Sequence, residues 1–281
     1  MPPRLPLSLA VSLLLLFACE SNANTRRPDE RSPSGHSAPS DGPKLGAAVG
    51  DGDGEYTLPY GDQTIYVYAD PSLGVEVERL FELLGDLHDQ AVPIDATTRL
   101  PIGWTTLSFA VEGEHDERLV AVEPDYSNQP ETRTRRDISV SLATLARQRA
   151  VLEHADVAGE AINFDQHAIA IRGTLELDEI MLLRVDSPGG RMTGWRITPT
   201  AGIAEQDELE SLPVYAILEA RPALLDAMLL PAGYMVFYVG EELTTIVNER
   251  DEVVWDWNLD GAELERGPAR ERAKPLLEPI D

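Results

Sequence analysis

The spacing of apolar residues follows two periods along the body of the chain. An alternating pattern of apolar and polar residues predicts β-strands in the N-terminal and middle parts. An apolar stripe at three- and four-residue spacing predicts a helix from Val77 to Ala91, ended by Pro93, and a second helix over residues 141–154. The predicted strands are residues 64–68, 104–111, 119–123, 161–164, 167–171, 179–185 and 194–197.

The C-terminal part of the body repeats this mixture of patterns. Residues 214–230 are helical in pattern, with a break at Pro222. Residues 234–239, 243–248 and 252–257 predict a three-stranded meander that turns at residues 249–251. Because strands and helices do not alternate regularly, the sequence favours an α+β fold with mostly antiparallel sheet and a few packed helices. Division into two lobes is compatible with this order.

Composition divides the chain into five predicted segments. Residues 1–18 form a signal peptide, with Arg4 before an apolar run that is too short for a permanent transmembrane helix. The other segments are a linker predicted to be disordered, an N-terminal α+β lobe, a C-terminal lobe and a charged tail. They cover residues 19–54, 55–174, 175–260 and 261–281.

The residues around Cys19 predict how the protein is held in the cell. Leu16-Phe17-Ala18-Cys19 resembles the lipobox of bacterial lipoproteins, in which the cysteine thiol receives lipid and becomes the first residue after cleavage. This resemblance implies that lipid on Cys19 anchors the protein to a membrane of the cell envelope, and it leaves open which membrane. The alternative is an ordinary secreted protein with a cysteine at this position.

Charge and residue usage exclude several classes of function. The net charge of −26 and the lack of a basic patch argue against nucleic-acid binding, and Arg133, Arg135 and Arg136 are interpreted as part of a solvated loop. Cys19 is the sole cysteine, so the body has no disulfide and no thiolate site. The only lysines are Lys44 and Lys274, which excludes lysine-based catalysis in the body.

The body shows no recognisable catalytic or metal-binding motif. Its four histidines lack short metal-ligand spacing, and hydrolase signatures are absent. We therefore predict no catalytic residues, no metal and no small-molecule cofactor. Glu123 and Asp125, with Tyr126, lie at the end of a predicted strand, where a binding site could form, although the pattern favours a solvated strand end.

Gly194-Trp195-Arg196 carries a resemblance to a known family. Together with the turn at Ser187-Pro188-Gly189-Gly190 and the helix start Val214-Tyr215-Ala216-Ile217, it makes residues 180–257 similar to the Imm33-like domain. The resemblance implies an immunity protein that binds and neutralises a toxin and has no catalytic residues. An acidic body suits a basic protein toxin, although solubility explains the charge just as well. The predicted partner-binding residues are Glu123, Asp125, Trp195 and Arg196.

Two other classes of function remain compatible with the sequence. One is a structural or scaffolding lipoprotein of the envelope. The other is an envelope enzyme whose carboxylates assemble only in the folded protein, with Glu123, Asp125, Asp165 and His167 as the residues to test.

Overall fold

The computed structural model describes residues 54–113, 118–187, 189–202, 204 and 207–256. All of these residues belong to one compact unit, Asp41–Asp281. The predicted signal peptide, Cys19, the linker and the charged tail lie outside the described residues, as does His115 in the turn between two predicted strands. Within the described part, no helix combines the length and the hydrophobicity needed to cross a bilayer.

The described residues form two mixed sheets with a few helices, which confirms the predicted α+β class. The first sheet has the strand order β1-β2-β5-β4-β3, and β6 pairs with β5. Its strands are β1 (Glu55–Tyr60), β2 (Gln63–Tyr68), β3 (Arg99–Ile102), β4 (Thr105–Glu112), β5 (Arg118–Pro124) and β6 (Thr134–Arg135).

The second sheet contains seven strands in the order β10-β7-β9-β8-β11-β12-β13. Its strands are β7 (His167–Ile171), β8 (Glu179–Arg184), β9 (Met192–Pro199), β10 (Leu209–Pro213), β11 (Met235–Val239), β12 (Glu242–Val247) and β13 (Val253–Asp256). Only the pairs β2–β5 and β7–β9 are parallel among the paired strands described. The prediction of mostly antiparallel pairing is therefore confirmed.

Three α-helices and three short 3-10 helices occur in the described part of the chain. The α-helices are α1 (Gly74–Asp89), α2 (Ser139–Ala155) and α3 (Val214–Ala220), and the 3-10 helices are Pro71–Leu73, Thr174–Glu176 and Pro222–Ala227. Helix α1 buries its predicted stripe, including Val77, Leu80 and Leu84, because residues at three- and four-residue spacing share one helix face. It ends at Asp89, and Ala91 adopts a left-handed conformation (φ 55°) just before Pro93.

Each sheet packs against its own hydrophobic core, and α2 contributes to both. Leu142 joins the core that lies between the first sheet and α1. Val151 and Leu152 join the larger core that covers one face of the second sheet together with α3 and Pro222–Ala227. Strand β7 belongs to the second sheet although it precedes residue 174, and the predicted domain boundary at that position stays a prediction.

Two predicted elements differ from the structure. Residues 161–164 form an irregular connection and not a strand, because their backbone bonds to scattered partners: Ile162 N–H donates to Gly103, and Phe164 accepts from Tyr215 N–H. The helix predicted over residues 214–230 does break before Pro222, since α3 ends at Ala220 and Arg221 leaves the helical conformation (φ −155°, ψ 79°), but Pro222–Ala227 then form a 3-10 helix. A residue before proline disfavours the α conformation, which explains this break.

Candidate functional site: an acidic rim on the second sheet

Glu123, the first predicted site residue, is fully buried near the end of β5. The backbone N–H of Ser141, in the first turn of α2, donates to its Oε2 at 2.7 Å. Arg135 of β6 places its Nε 3.5 Å from Oε1. Burial raises the pKa of Glu123 to about 7, although the Ser141 and Arg135 interactions act in the opposite direction.

A hydroxyl network borders this carboxylate. The Tyr126 hydroxyl lies 2.6 Å from Thr105 Oγ1 and 2.9 Å from Ser141 Oγ, and its ring stacks on Trp104 with centroids 4.9 Å apart. Asp125, two residues after Glu123 on the chain, is half-buried and accepts a hydrogen bond from Ser127 Oγ at 3.0 Å. The strand end is thus a packed junction between β5 and α2.

Trp195 and Arg196 lie on β9 of the second sheet and point to opposite faces, as consecutive strand residues do. Trp195 is buried in the larger core and donates from its indole N–H to the Met228 carbonyl at 2.9 Å. Arg196 is half-buried, and burial lowers its pKa. Because Glu123 and Trp195 are buried, they could affect a partner only through the residues that they hold in place. The binding role predicted for these two residues, Asp125 and Arg196 stays a prediction.

The described histidines are spread over separate elements. His88 of α1 packs edge-on against Tyr60, with ring centroids 4.8 Å apart. His154 of α2 packs on Trp255 at 4.1 Å, and His167 Nδ1 lies 2.9 Å from Ser211 Oγ on the neighbouring strand β10. Asp165 lies in the turn before β7 and not on the strand itself, so alternation does not align it with His167. Over the described ranges, no three potential metal ligands are grouped to hold an ion.

A surface that the sequence did not predict lies at one end of the second sheet. Strands β8 and β11 pair antiparallel with Glu179 opposite Val239, and Val239 in turn lies opposite Glu242. This register brings the junction between Thr174–Glu176 and β8 beside the turn between β11 and β12. Together the two turns carry five exposed carboxylates, which we call the acidic rim: Glu176, Asp178, Glu179, Glu241 and Glu242.

A buried arginine from the break after α3 joins the two turns of the rim. The guanidinium of Arg221 donates to the carbonyls of Leu177 and Gly240, and also to that of Asp178 at 3.3 Å. Its Nε lies 3.5 Å from Glu241 Oε1. The Gly240 N–H adds a direct bond between the turns, donating to the Asp178 carbonyl at 2.9 Å. These contacts fix the positions of the rim backbones relative to each other.

Two apolar side chains stand among the carboxylates. Leu177, just before β8, is 44% exposed, and Val239, the last residue of β11, is 45% exposed. No Lys, Arg or His occurs in residues 174–180 or 238–243. Within these two segments every charged side chain is therefore acidic, and two exposed apolar side chains lie among them.

The sequence patterns did not predict the acidic rim because its two halves are about 60 residues apart in the sequence. Glu176, Asp178 and Glu179 flank the start of one predicted strand, and Glu241 and Glu242 occupy a turn of the predicted meander. Only the pairing of β8 with β11 places them together. The one signal available was that both segments lack cations in a chain with 23 lysines and arginines.

A comparison with protein families finds a known domain in the part of the chain that carries this surface. Residues 147–249 match the Imm33-like domain. This match confirms the resemblance based on Gly194-Trp195-Arg196 and covers less than half of the chain. The Imm33-like region, residues 147–249, begins within α2 and includes the acidic rim and Arg221. Neither the curated proteins nor the solved structures gave a significant match.

Proposed function

We propose that this protein is a lipid-anchored envelope protein whose Imm33-like region binds and neutralises a basic protein toxin through the acidic rim. The observation that carries the proposal is the match of residues 147–249 to the Imm33-like domain, within which the rim lies. The name of that family suggests immunity-type protein binding. The rim supplies a surface with the charge and the apolar centre that such binding needs.

The electrostatics of the rim support a basic partner. Five carboxylates against the one buried guanidinium of Arg221 leave the rim with net negative charge, which attracts cationic side chains and raises the association rate. Leu177 and Val239 offer apolar area for the centre of the contact, and interfaces of this kind have an apolar core with a polar rim. A uniformly acidic protein or a nucleic acid would be repelled at this surface.

The buried hydrogen bonds of Arg221 to both turns support binding by a preformed surface. Because the guanidinium already links the Leu177 and Gly240 carbonyls, the two turns lose little conformational freedom when a partner docks. Smaller ordering costs leave more of the interaction energy as affinity.

The proposed location rests on the N-terminal sequence. An apolar run followed by a single cysteine at position 19 suits export and lipid attachment, and stable anchoring takes more than one acyl chain. A toxin that acts in the envelope would meet an inhibitor held there.

A growth assay tests this function. The full chain is co-expressed with the protein encoded by the adjacent gene, directed to the envelope, and survival is scored. The rim variant combines Glu176→Gln, Asp178→Asn and Glu242→Gln. A matched control, Glu78→Gln with Glu82→Gln and Asp86→Asn, changes net charge equally on the exposed face of α1.

We expect the wild-type chain and the α1 control to rescue growth, and the rim variant to rescue it poorly. Equal rescue by all three proteins would remove the rim from the proposal. If the wild-type chain neither rescues the cells nor retains the protein encoded by the adjacent gene in a pull-down, the proposed immunity function itself is wrong.

A further inference from the structure

We propose that the chain beyond Asp256 docks on the protein's own second sheet. Residues 257–259 continue β13 along β12 and place Trp257 in a groove beside α2, and the cationic run 266–274 then covers the acidic rim. The rim is thus occupied by the protein itself until a partner displaces this segment. The docking does not depend on the function proposed above, whereas its effect on toxin binding rests on that function.

An apolar groove of about 270 Å³ lies between α2 and the last two strands of the second sheet. Helix α2 contributes Ala150 and Val151 to its lining, β12 contributes Glu242 and Leu243, and β13 contributes Trp255. The groove has room for a large aromatic side chain. It therefore extends from the end of the described chain to Glu242, which is a residue of the acidic rim.

The edge of β12 beside this groove is open over half of its length. Strand β13 is the edge strand of the sheet and pairs with β12 only over residues 245–247. Asp256, the last described residue, lies opposite Thr245. Antiparallel pairing directs the following residues toward the start of β12, where residues 242–244 have no strand on this side in the described part. Residues 257–259 are the three that complete this ladder.

The sequence after Asp256 keeps the alternation of a strand. Trp255, Trp257 and Leu259 are apolar, and the residues between them are polar. The ring of Trp255 packs on His154 of α2, with centroids 4.1 Å apart. Because strand residues two positions apart share a face, Trp257 and Leu259 point toward α2 and the groove. A tryptophan that enters an apolar groove provides a large buried area to hold the segment.

The charge of residues 266–274 complements that of the acidic rim. This run is the most cationic stretch of nine residues in the chain, with one carboxylate and four cations: Arg266, Arg270, Arg272 and Lys274. In the continued ladder, Leu259 lies opposite Glu242 of the rim. The chain from there to residue 266 spans at most about 25 Å, which is enough to bring the cationic run onto both turns.

The protein's own segment has an advantage over any other occupant of the groove. Because Trp257 directly follows the last described residue, its effective concentration at the groove is about millimolar or higher. A second copy or a separate protein must bind from solution. A partner of the rim must also displace the cationic run, so a weakly basic protein is rejected and specificity increases.

Carbodiimide cross-linking of the full chain, analysed by mass spectrometry, tests the docking. The reagent joins a lysine amine directly to a carboxylate, and the chain contains only Lys44 and Lys274. We expect Lys274 to couple to carboxylates of the rim at least about tenfold more often than to Glu78, Glu82 and Asp86 on the exposed face of α1. Lys44, which lies outside the cationic run, should show no such preference.

Variants separate the groove contact from the charge contact. Trp257→Ser should lower the yield of cross-links between Lys274 and the rim at least about fivefold. Asn258→Ser is the matched control, because it changes the opposite face of the continued strand and should keep the wild-type yield. Serine at the three arginines of the cationic run leaves Lys274 as the reporter and should also lower the yield, as should high salt.

Three results would overturn the proposal. One is equal coupling of Lys274 to the rim and to α1, and another is an unchanged yield in Trp257→Ser. The third is that, in a mixture of isotope-labelled and unlabelled protein, the cross-links join two different molecules, since a second copy would then occupy the groove. Any of these leaves the growth assay unaffected, whereas failure to rescue growth with the cross-links intact refutes only the immunity function.

Discussion

Three charged side chains are buried among the described residues: Glu123, Arg184 and Arg221. Both arginines bind backbone carbonyls and so fix loops. Arg184 Nη1 donates to the Leu230 carbonyl at 2.6 Å, and its Nη2 lies 3.3 Å from Glu160 Oε2. Arg221 joins the two turns of the acidic rim in the same way. Buried guanidinium groups thus replace regular hydrogen bonding where the chain is irregular.

Replacing Arg221 by Met should destabilise the protein by about 3 kcal/mol, because several carbonyls and Glu241 lose their donor while the apolar stem is retained. Urea denaturation measures the free energy of unfolding. Arg172→Met is the control, since Arg172 pairs with Glu208 at the exposed surface and its loss should cost less than about 1 kcal/mol. Similar losses of unfolding free energy in both variants would show that the contacts of Arg221 contribute little to stability.

Glu123 should make stability fall with rising pH. Its folded pKa is about 7, above the unfolded value of 4.5, so the folded state binds more protons between these values. The contribution of Glu123 is complete below pH 4.5 and is lost as the pH rises to 7, by up to about 3 kcal/mol. The difference in unfolding free energy between the wild-type protein and Glu123→Gln, measured from pH 4.5 to pH 7.5, should follow this trend. A constant difference would contradict it.

Among the elements, the hairpin from β8 to β9 depends on one glycine. Gly194 has φ +83°, and a Cβ there would lie 2.3 Å from the Val185 carbonyl oxygen. The Gly194 carbonyl accepts from the Val185 N–H at 3.0 Å, so the two strands meet closely at this point. This geometry gives a physical reason for glycine in the Gly194-Trp195-Arg196 segment that carried the family resemblance.

Gly194→Ala should therefore destabilise the protein by more than about 2 kcal/mol, from backbone strain plus a clash with backbone. Gly190→Ala is the matched control in the same hairpin, because Gly190 also has positive φ (+69°) but no atom near the added Cβ. It should cost only the conformational strain, about 1 kcal/mol. Thermal unfolding compares the two, and equal losses would mean that the close approach is unimportant.

Local patterns predicted the elements with strong periodicity, including the edge strand β13, and missed three other edge strands, β1, β3 and β10. Helix α1 and the meander from β11 to β13 follow their apolar spacing. Strand β1 is an edge strand, where Pro59 is tolerated although it disguises the alternation of the buried residues Tyr56 and Leu58. Strand β10 lies at an edge of the other sheet, and none of its residues is fully buried, so its apolar spacing is weak.

At the scale of the whole molecule, the sequence predicted the fold class and the Imm33-like resemblance but not the candidate surface. Glu123 and Trp195 were singled out as binding residues, yet both are buried. A strand end and a tryptophan look alike in sequence whether they face the core or the solvent. The rim depends on register between distant strands, which apolar spacing does not encode.

The proposed anchoring makes a prediction about the intact protein. Mass spectrometry of the protein from its native membrane should show an N-terminus at residue 19 carrying lipid, and Cys19→Ser should move the protein to the soluble fraction. An unmodified Cys19 with the leader still attached would contradict envelope anchoring and leave the Imm33-like match unaffected.

The rate at which the full chain associates with the protein encoded by the adjacent gene, measured by stopped flow at low and high salt, tests the proposed toxin binding most directly. Steering by the acidic rim predicts an association rate that falls at least about tenfold from low to high salt. Neutralising Glu176, Asp178 and Glu242 should slow association at low salt, and the matched α1 control should not. Identical rates for the rim variant and the wild-type protein would show that the partner binds elsewhere.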